Sequence, residues 1–313
     1  MGSSLKVRMQ IDALRRVNLR TAEIDNLREQ VNALMRDLTW KSPWLPEGSI
    51  VWRARRCNPR DKPVHRTELS YAPLGVIKTP QRANRPGVQM FYGSSSSSAC
   101  LFELDALEGE HFALSRWRTI EKLLVHFVGY ESSVFDTLAS GRSPPPWSLG
   151  QTHNDRYVLK FLSEEFARRV TPGMEHQYKI SVAIAEQLVL PPIDAESLAS
   201  APSSKGLRPR WAGVQYPSVE MKANADNFAL LPWAVDEAMI TNRVDWLRID
   251  KRADGTKWVT LLDFADSLSA DGAIEWKGRL PRVLIPAGET FRVTLDDGRF
   301  VVRNSSDAVV EPF

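Results

Sequence analysis

The chain has 313 residues, of which 43% are apolar and 25% charged, a composition typical of a globular protein with a substantial core. Its net charge of +3 is nearly balanced, which argues against a nucleic-acid partner. The two cysteines and five histidines show no metal-ligand spacing, and no apolar run approaches the ~20 residues that cross a bilayer, so we expect a cytoplasmic protein without a metal site or a membrane span.

The first segment of the chain, residues 1–45, is predicted to be mainly helical. No Pro or Gly interrupts residues 5–40, which favours one continuous helix. This helix fits two interpretations: it forms a homo-oligomer or docks a partner, or it packs on the chain's own body. The heptad pattern is broken at Arg20, which favours packing on the body. The apolar seam consists of Val17, Ile24, Leu27, Val31, Leu34 and Leu38.

From Ser49 onward the pattern changes to short apolar segments separated by loops, which predicts a domain of mixed strands and helices. The tail of the chain is predicted to be rich in strands. In chain order, the predicted elements are a strand at 50–52, a loop at 82–87, strands at 88–92, 112–114 and 123–128, a surface linker or lid at 140–148, helices at 155–169 and 178–190, an exposed loop at 199–210, strands at 213–219, 227–232 and 258–262, and a hairpin of 290–295 with 299–302.

A run of five serines, residues 94–98, leads into an apolar pattern with helical spacing over residues 99–107. Serine side chains suit a helix start, and free backbone N–H groups at such a start favour a phosphate. This interpretation makes Ser94 a candidate ligand-binding residue. Five consecutive serines also fit a flexible loop, and the sequence leaves both interpretations open.

Three residues in this pattern carry a coherent chemistry. Arg53 lies on an apolar strand, Tyr92 lies at a strand end, and Glu103 lies on the next apolar segment. They offer a cation for phosphates, an aromatic face for a heterocycle and a carboxylate for an electron-poor sugar. The combination predicts a pocket for a dinucleotide such as NAD. Taken alone, the same residues also fit a solvated helix carboxylate and an ordinary core tyrosine.

A wider set of motifs resembles the RES domain, a family named for its arginine, glutamate and serine. The chain departs from the family's Arg-Trp-Asn loop because Ala83 stands in place of the tryptophan. The segment Trp147-Ser148-Leu149-Gly150 resembles the family's Trp-x-Leu-Gly stretch, and the resemblance covers about residues 49–235. The motifs that carry it are, in order, Arg53, Arg82-Ala83-Asn84, Tyr92, Ala99 through Glu103, Tyr216-Pro217-Ser218 and Asn227.

The resemblance implies an α+β fold similar to that of ADP-ribosyltransferases, with a split mixed sheet and flanking helices. On this basis, residues 1–45 form an N-terminal helix, residues 46–235 form the catalytic domain, and residues 236–313 form a β-rich C-terminal extension. Neither flanking region contains a recognisable catalytic or ligand-binding motif.

The resemblance also implies a function. RES proteins are typically toxins of toxin–antitoxin pairs, inhibited by an Xre-type helix-turn-helix antitoxin. The implied reaction is cleavage of NAD at the nicotinamide–ribose bond by an NAD phosphorylase or glycohydrolase, with inorganic phosphate or water as acceptor. A protein acceptor would instead make the chain an ADP-ribosyltransferase. Two other classes stay open: a non-catalytic nucleotide-binding protein, and a nucleic-acid-processing toxin that uses the basic residues 53–60.

Pattern and resemblance together assign seven site residues. Glu103 is expected to stabilise the positive charge that develops on the ribose or to hold a ribose hydroxyl, and Arg53 and Arg82 to hold phosphate oxygens with paired N–H groups. Tyr92 is expected to stack on nicotinamide or to bond a ribose hydroxyl. The assigned catalytic residues are Arg53, Tyr92, Glu103 and Ser218, and the assigned binding residues are Arg82, Ser94 and Asn227.

Two of these assignments have alternatives. Ser218 is not expected to be a nucleophile, because no Gly-x-Ser-x-Gly turn surrounds it and the sequence indicates no histidine that would act as its base. Asn227 is expected to offer its amide to the ligand or a loop, although it also fits a cap at the start of a strand. Asn224 lies three positions earlier and is a rival for the same role.

Overall fold

The computed structural model describes residues 2–38, 44–145, 152–189, 211–253, 256–278, 282–285, 291–296, 299–304 and 306–310. In this part of the chain, the strands form a ten-stranded sheet and a three-stranded sheet, accompanied by seven α-helices. The helices are α1 (Gly2–Arg16), α2 (Ile24–Met35), α3 (Ser97–Glu103), α4 (Ser132–Thr137), α5 (His153–Ala167), α6 (Lys179–Val189) and α7 (Pro232–Ala238). The strands are β1 (Trp44–Leu45), β2 (Ile50–Cys57), β3 (Phe91–Ser94), β4 (His111–Thr119), β5 (Leu123–Phe127), β6 (Trp211–Pro217), β7 (Asp226–Leu230), β8 (Met239–Ala253), β9 (Thr256–Ala265), β10 (Arg282–Ile285), β11 (Phe291–Asp296), β12 (Arg299–Asn304) and β13 (Val309–Val310).

The large sheet is mixed and runs in the order β1-β5-β6-β7-β3-β2-β4-β8-β9-β10. Strands β5 and β6 are parallel, and the strands on either side of them pair antiparallel. Strand β2 pairs with β4 along its whole length, but it pairs with β3 only at Trp52 and Ser94. The sheet therefore consists of two halves that meet at a single residue pair. This arrangement confirms the expected α+β fold with a split mixed sheet.

Gly93 lies beside this contact and explains how closely the two halves approach. A Cβ atom at Gly93 would lie 2.5 Å from Cγ1 of Val51 and 2.7 Å from the carbonyl oxygen of Trp52. Any larger residue here would push β3 away from β2, because the atom it would meet on Trp52 belongs to the backbone. The glycine therefore keeps the two halves of the sheet in contact at this point.

The N-terminal segment forms two helices, so the prediction of one continuous helix over residues 5–40 is wrong. Residues 17–23 separate α1 from α2. The carbonyl oxygen of Asn18 accepts hydrogen bonds from the amides of Thr21 and Ala22, at 3.2 and 3.0 Å. The side-chain oxygen Oδ1 of Asn18 also accepts a hydrogen bond from the amide of Arg20 at 3.1 Å. Such a local side-chain bond competes with helical bonding, and the break occurs where it forms.

Both N-terminal helices pack on the body of the chain. Helix α1 lies against α5, and α2 lies against α6. The seam residues Leu27, Val31 and Leu34 are buried in one core cluster with side chains of α5 and α6. The interpretation that this segment packs on the chain's own body is therefore confirmed. A homo-oligomer formed through the segment stays a prediction.

The C-terminal part is rich in strands, as predicted. Strand β8 pairs with β4, β9 with β8 and β10 with β9, so this region extends the large sheet. Strands β11 and β12 form the predicted hairpin.

The domain boundaries at 45/46 and 235/236 stay predictions. The motif at 147–150 and the loop at 199–210 lie outside the described residues. None of the described helices is long and apolar enough to cross a membrane.

Candidate active site

A cleft of about 440 Å³ lies where the two halves of the sheet part. Its walls include β2, β3, the end of α3 and the loop before β3. Six of the seven predicted site residues line the cleft directly: Arg53, Arg82, Tyr92, Ser94, Glu103 and Asn227. The remaining one, Ser218, is buried behind the wall and donates a hydrogen bond to Glu103.

Glu103 is held by two donors that come from a distant part of the chain. The hydroxyl of Ser218 donates to its Oε1 at 2.5 Å, and the amide Nδ2 of Asn227 donates to the same oxygen at 2.8 Å. Ser218 follows β6 directly, and Asn227 lies on β7, whose register brings it opposite Tyr216. Hydrogen bonds to a carboxylate are among the stronger ones in proteins. The two donors therefore fix the orientation of this carboxylate.

Two acceptor atoms remain available in this part of the cleft. The second oxygen of Glu103, Oε2, accepts no hydrogen bond from the residues that the structure describes, and the side chain is only half-buried. The side-chain oxygen Oδ1 of Asn227 is buried and likewise has no partner among them. A buried acceptor without a partner is costly unless a ligand or water supplies a donor. The site is therefore suited to a ligand that carries hydroxyl or amide hydrogens.

Arg53 joins the two halves of the sheet at the cleft. Its Nη1 donates to the carbonyl oxygen of Tyr92 at 2.6 Å, and its Nε donates to that of Ser70 at 3.1 Å. The guanidinium carbon lies 5.1 Å from the centre of the Phe91 ring. Burial lowers the pKa of Arg53 to about 10, so the group still carries its charge at neutral pH. A fixed cation therefore lies within the lining of the cleft.

Tyr92 uses its hydroxyl to hold a loop. The hydroxyl donates to Oδ1 of Asn84 at 2.6 Å and accepts from the amide of Ala83 at 2.9 Å. Burial raises the pKa of Tyr92, which keeps the phenol protonated. The hydroxyl is thus already engaged, while the ring contributes to the cleft wall. The catalytic assignment of Tyr92 stays a prediction, and the geometry favours its ring over its hydroxyl.

Arg82 is anchored to the end of α5. Its Nη1 donates to the carbonyl oxygens of Phe166 and Arg168, the latter at 3.1 Å. Its guanidinium carbon lies 5.3 Å from the centre of the Tyr178 ring and 5.7 Å from that of Tyr216. A cation at a helix C-terminus bonds carbonyl groups that the helix leaves unpaired. Arg82 therefore presents its remaining N–H groups from a fixed position.

The serine run is packed into the protein, so the flexible-loop interpretation is wrong for most of it. Ser94, Ser96, Ser97 and Ser98 are buried, and only Ser95 is exposed. The hydroxyl of Ser94 donates to the carbonyl oxygen of Asp226 at 2.9 Å. The run thus fastens β3 to the start of β7, next to Asn227. A binding role for Ser94 stays a prediction.

Several residues of the cleft had not been assigned from the sequence. Tyr178 and Tyr216 line it beside Arg82, and only Tyr216 had a sequence signal, as part of the Tyr-Pro-Ser motif. Cys100 also lines it, but burial raises the pKa of its thiol to about 12, and the thiol donates to the carbonyl oxygen of Trp52 at 3.3 Å. The thiol therefore stays protonated, which makes Cys100 a poor nucleophile.

Asn224, the rival to Asn227, faces a different neighbour. Its Oδ1 accepts from the amide of Gly141 at 3.1 Å, and the side chain is exposed. Asn227 is the asparagine that reaches Glu103.

In the described residues, no group of three His, Cys, Asp or Glu side chains is arranged to hold a metal ion.

Comparison with known proteins gives one match. A family model described as the RES domain matches residues 50–250, which is more than half of the 313 residues. No curated protein matches the chain, and no solved structure does. The matched region contains all seven predicted site residues.

Proposed function

Because the chain belongs to the RES domain family, we propose that it cleaves NAD at the bond between nicotinamide and ribose, as an NAD phosphorylase or glycohydrolase. The observation that carries this proposal is the carboxylate of Glu103, held by Ser218 and Asn227 at a cleft that also contains Arg53. Loss of nicotinamide leaves positive charge on the ribose, and a carboxylate fixed nearby stabilises such a charge.

In the proposed reaction, the bond between C1′ and the nicotinamide nitrogen breaks, and its electron pair leaves with nicotinamide, which becomes neutral. The positive charge that remains is shared by C1′ and the ring oxygen of the ribose. Glu103 stabilises this charge through Oε2 or holds a ribose hydroxyl, while Ser218 and Asn227 keep Oε1 in place. A phosphate oxygen or a water molecule then adds to C1′, and when water adds, its extra proton is lost to the solvent.

The remaining polar atoms of the cleft support a dinucleotide substrate. The Oδ1 atom of Asn227 is buried without a partner among the described residues, and a ribose hydroxyl or the nicotinamide amide would supply the donor that it lacks. Arg53 and Arg82 offer two cations for a pyrophosphate or an incoming phosphate. Tyr178 and Tyr216 offer aromatic rings for a heterocycle.

The biological role proposed here follows from the reaction. An enzyme that consumes NAD depletes the cell of a central cofactor, so we propose that this chain acts as a toxin in the cytoplasm. The corresponding inhibitor would be an Xre-type antitoxin. Support for both statements comes from family membership.

The competing interpretation as a nucleic-acid enzyme has weaker support. It relied on the basic residues after Arg53 as a track for phosphates. Arg55 donates to the carbonyl oxygen of Glu68, and Arg56 forms an ion pair with Glu110 at 2.9 Å. These two arginines are therefore engaged with the protein's own groups. The interpretation as a protein-modifying ADP-ribosyltransferase differs only in the acceptor.

The experiment that tests the proposal measures nicotinamide released from NAD by the purified full chain, with and without inorganic phosphate. We expect Glu103→Gln to reduce release by ~10²–10³, the usual effect of removing electrostatic help to a transition state. Glu108→Gln, a change at an exposed glutamate five positions later, is the matched control and should leave release unchanged. Absence of release from the folded wild-type protein, or full activity of Glu103→Gln, would refute the proposal. Dependence on phosphate separates a phosphorylase from a glycohydrolase.

A further inference from the structure

The turn that follows Glu103 has a defined shape that ends α3. Asp105 adopts a φ of 46°, in the left-handed region, and the amide of Ala106 donates to the carbonyl oxygen of Leu101 at 3.0 Å. This pattern is a Schellman-type helix end. It explains why α3 stops at Glu103, whereas the apolar spacing predicted helical structure to residue 107. Glu103 is the last helical residue before this turn.

A buried lysine of β9 reaches the same turn. The Nζ atom of Lys257 donates to the carbonyl oxygen of Ala106 at 2.6 Å, and it lies 5.0 Å from the centre of the Phe102 ring. Only 2% of Lys257 is exposed, and burial lowers its pKa. Phe102 directly precedes Glu103, so the lysine contacts the helix immediately before the carboxylate and the turn immediately after it.

The position of Lys257 is energetically unusual. Within the described part of the chain, no carboxylate forms an ion pair with it. Burial lowers the pKa of Lys257 even though the carboxylates of Asp105 and Glu110 attract its charge, so the ammonium contributes little to stability as a charge. Unlike an apolar side chain of the same length, the lysine can donate a hydrogen bond to a carbonyl oxygen. This points to a role in holding the Ala106 carbonyl.

A second cation of the same hairpin contacts the turn. The Nη1 atom of Arg252 lies 2.5 Å from Oδ1 of Asp105. This pair is largely exposed, so the buried lysine is the stronger contact. The RES family match ends at residue 250, so both cations come from the part of the chain beyond the match. The hairpin also packs on the helix end, in a core cluster that contains Leu101, Ala106, Leu247, Ile249, Val259 and Leu261.

We propose that the β8–β9 hairpin positions Glu103, and that Lys257 is the positioning residue through which it acts. The kinetic consequence of this inference rests on the proposed cleavage of NAD. Without the ammonium donor, the turn at Asp105 and Ala106 loosens and the carboxylate shifts, while Arg53 keeps its place on β2. A misplacement of about 1 Å at a catalytic group costs up to ~100-fold in rate. The lysine therefore affects turnover more than substrate binding.

The test compares Lys257→Met, which keeps the length of the side chain but removes the donor, with Lys257→Arg, which retains a cationic donor. Lys251→Met is the matched control, because Lys251 is an exposed lysine of the same hairpin that contacts Trp258. We expect Lys257→Met to lower kcat for nicotinamide release at least tenfold, with KM for NAD within twofold of the wild-type value. Lys257→Arg should recover most of kcat, and Lys251→Met should resemble the wild type.

Amide hydrogen exchange at Asp105 and Ala106 provides a readout that does not depend on NAD. We expect exchange there to be at least tenfold faster in Lys257→Met than in the wild type, with no change in the amides that pair β2 with β4. An unchanged kcat in an active Lys257→Met protein overturns the inference and leaves the proposed function intact. If the wild type releases no nicotinamide, the proposed function fails, and the exchange rates alone decide whether Lys257 holds the turn.

Discussion

The hydroxyl of Ser218 donates to Oε1 of Glu103 at 2.5 Å, and this bond joins two residues that are 115 positions apart in the chain. One of them ends the short helix after the serine run, and the other follows strand β6. The amide of Met221 donates to the same hydroxyl at 3.2 Å. The position of the Glu103 carboxylate therefore depends, through Ser218, on the loop between β6 and β7.

The first prediction concerns this hydroxyl. We expect Ser218→Ala to reduce nicotinamide release by about 10- to 100-fold, because a hydrogen bond to a charged group contributes about 1.5–3 kcal/mol. Steady-state kinetics with NAD would measure the effect. Ser163→Ala removes a buried hydroxyl of α5 outside the cleft and serves as the control. Equal rates for the wild type and Ser218→Ala would show that the carboxylate is oriented without this bond.

The second prediction concerns the cation that joins the two halves of the sheet. Lysine in place of Arg53 cannot reproduce both bonds, to the carbonyl oxygens of Ser70 and Tyr92, from one compact ammonium group. We expect Arg53→Lys to raise KM for NAD and to lower kcat/KM at least tenfold. Arg55→Lys, at the exposed arginine two positions later, should change neither value by more than twofold. Wild-type kinetics in Arg53→Lys would mean that charge alone suffices here.

The third prediction separates the ring of Tyr92 from its hydroxyl. Tyr92→Phe leaves the amide of Ala83 and Oδ1 of Asn84 without their partner. Buried groups that lose a partner cost about 1–3 kcal/mol each, so for these two groups we expect the free energy of unfolding to fall by about 2–6 kcal/mol. The value of kcat at a temperature where the protein stays folded should change less than fivefold. Urea unfolding and steady-state kinetics measure the two effects. A large loss of kcat at unchanged stability would instead make the hydroxyl catalytic.

The fourth prediction concerns the dependence of stability on pH. His126 on β5 is buried and stacks on Trp211, with ring centres 3.5 Å apart, and burial lowers its pKa from 6.5 to about 4. As the pH falls, the unfolded chain binds the proton first. The stability associated with neutral His126 is therefore complete above about pH 6.5 and is lost as the pH falls from there towards 4.

At pH 5 this difference in proton binding corresponds to a loss of about 2 kcal/mol. Urea unfolding at pH 7 and pH 5 would measure it. His126→Phe keeps an aromatic ring against Trp211 but cannot titrate, so its free energy of unfolding should fall by about 2 kcal/mol less than that of the wild type over the same interval. An identical pH dependence in both proteins would contradict the prediction.

Much of the fold and of the site composition could be predicted from the sequence. Strand and helix periodicities located the elements that carry Arg53, Tyr92 and Glu103, and the order of short motifs indicated the RES family. The β-rich C-terminal part was also legible from alternating apolar residues. These features could be predicted because each depends on neighbours close in the sequence.

The contacts between distant segments could not be predicted in the same way. Apolar spacing cannot distinguish a helix that packs on its own chain from one that pairs with a second copy, so the burial of Val31 required the tertiary structure. The end of α3 depends on a left-handed residue, Asp105, that no glycine marks. Lys257 lies in a β-strand with no motif, and its role depends on a carbonyl group 151 positions away.

The single pair of residues that joins the halves of the sheet also bears on how the protein is made. Strand β3 lies between β2 and β7, so the N-terminal strand of the site needs a partner region that is synthesised far later. When residue 217 leaves the ribosome, Ser218, which holds Glu103, is not yet available. Lys257, which contacts the turn after α3, emerges later still. An unfinished chain thus lacks a complete site. For a protein proposed to consume the cell's NAD, the length of translation itself delays the onset of activity.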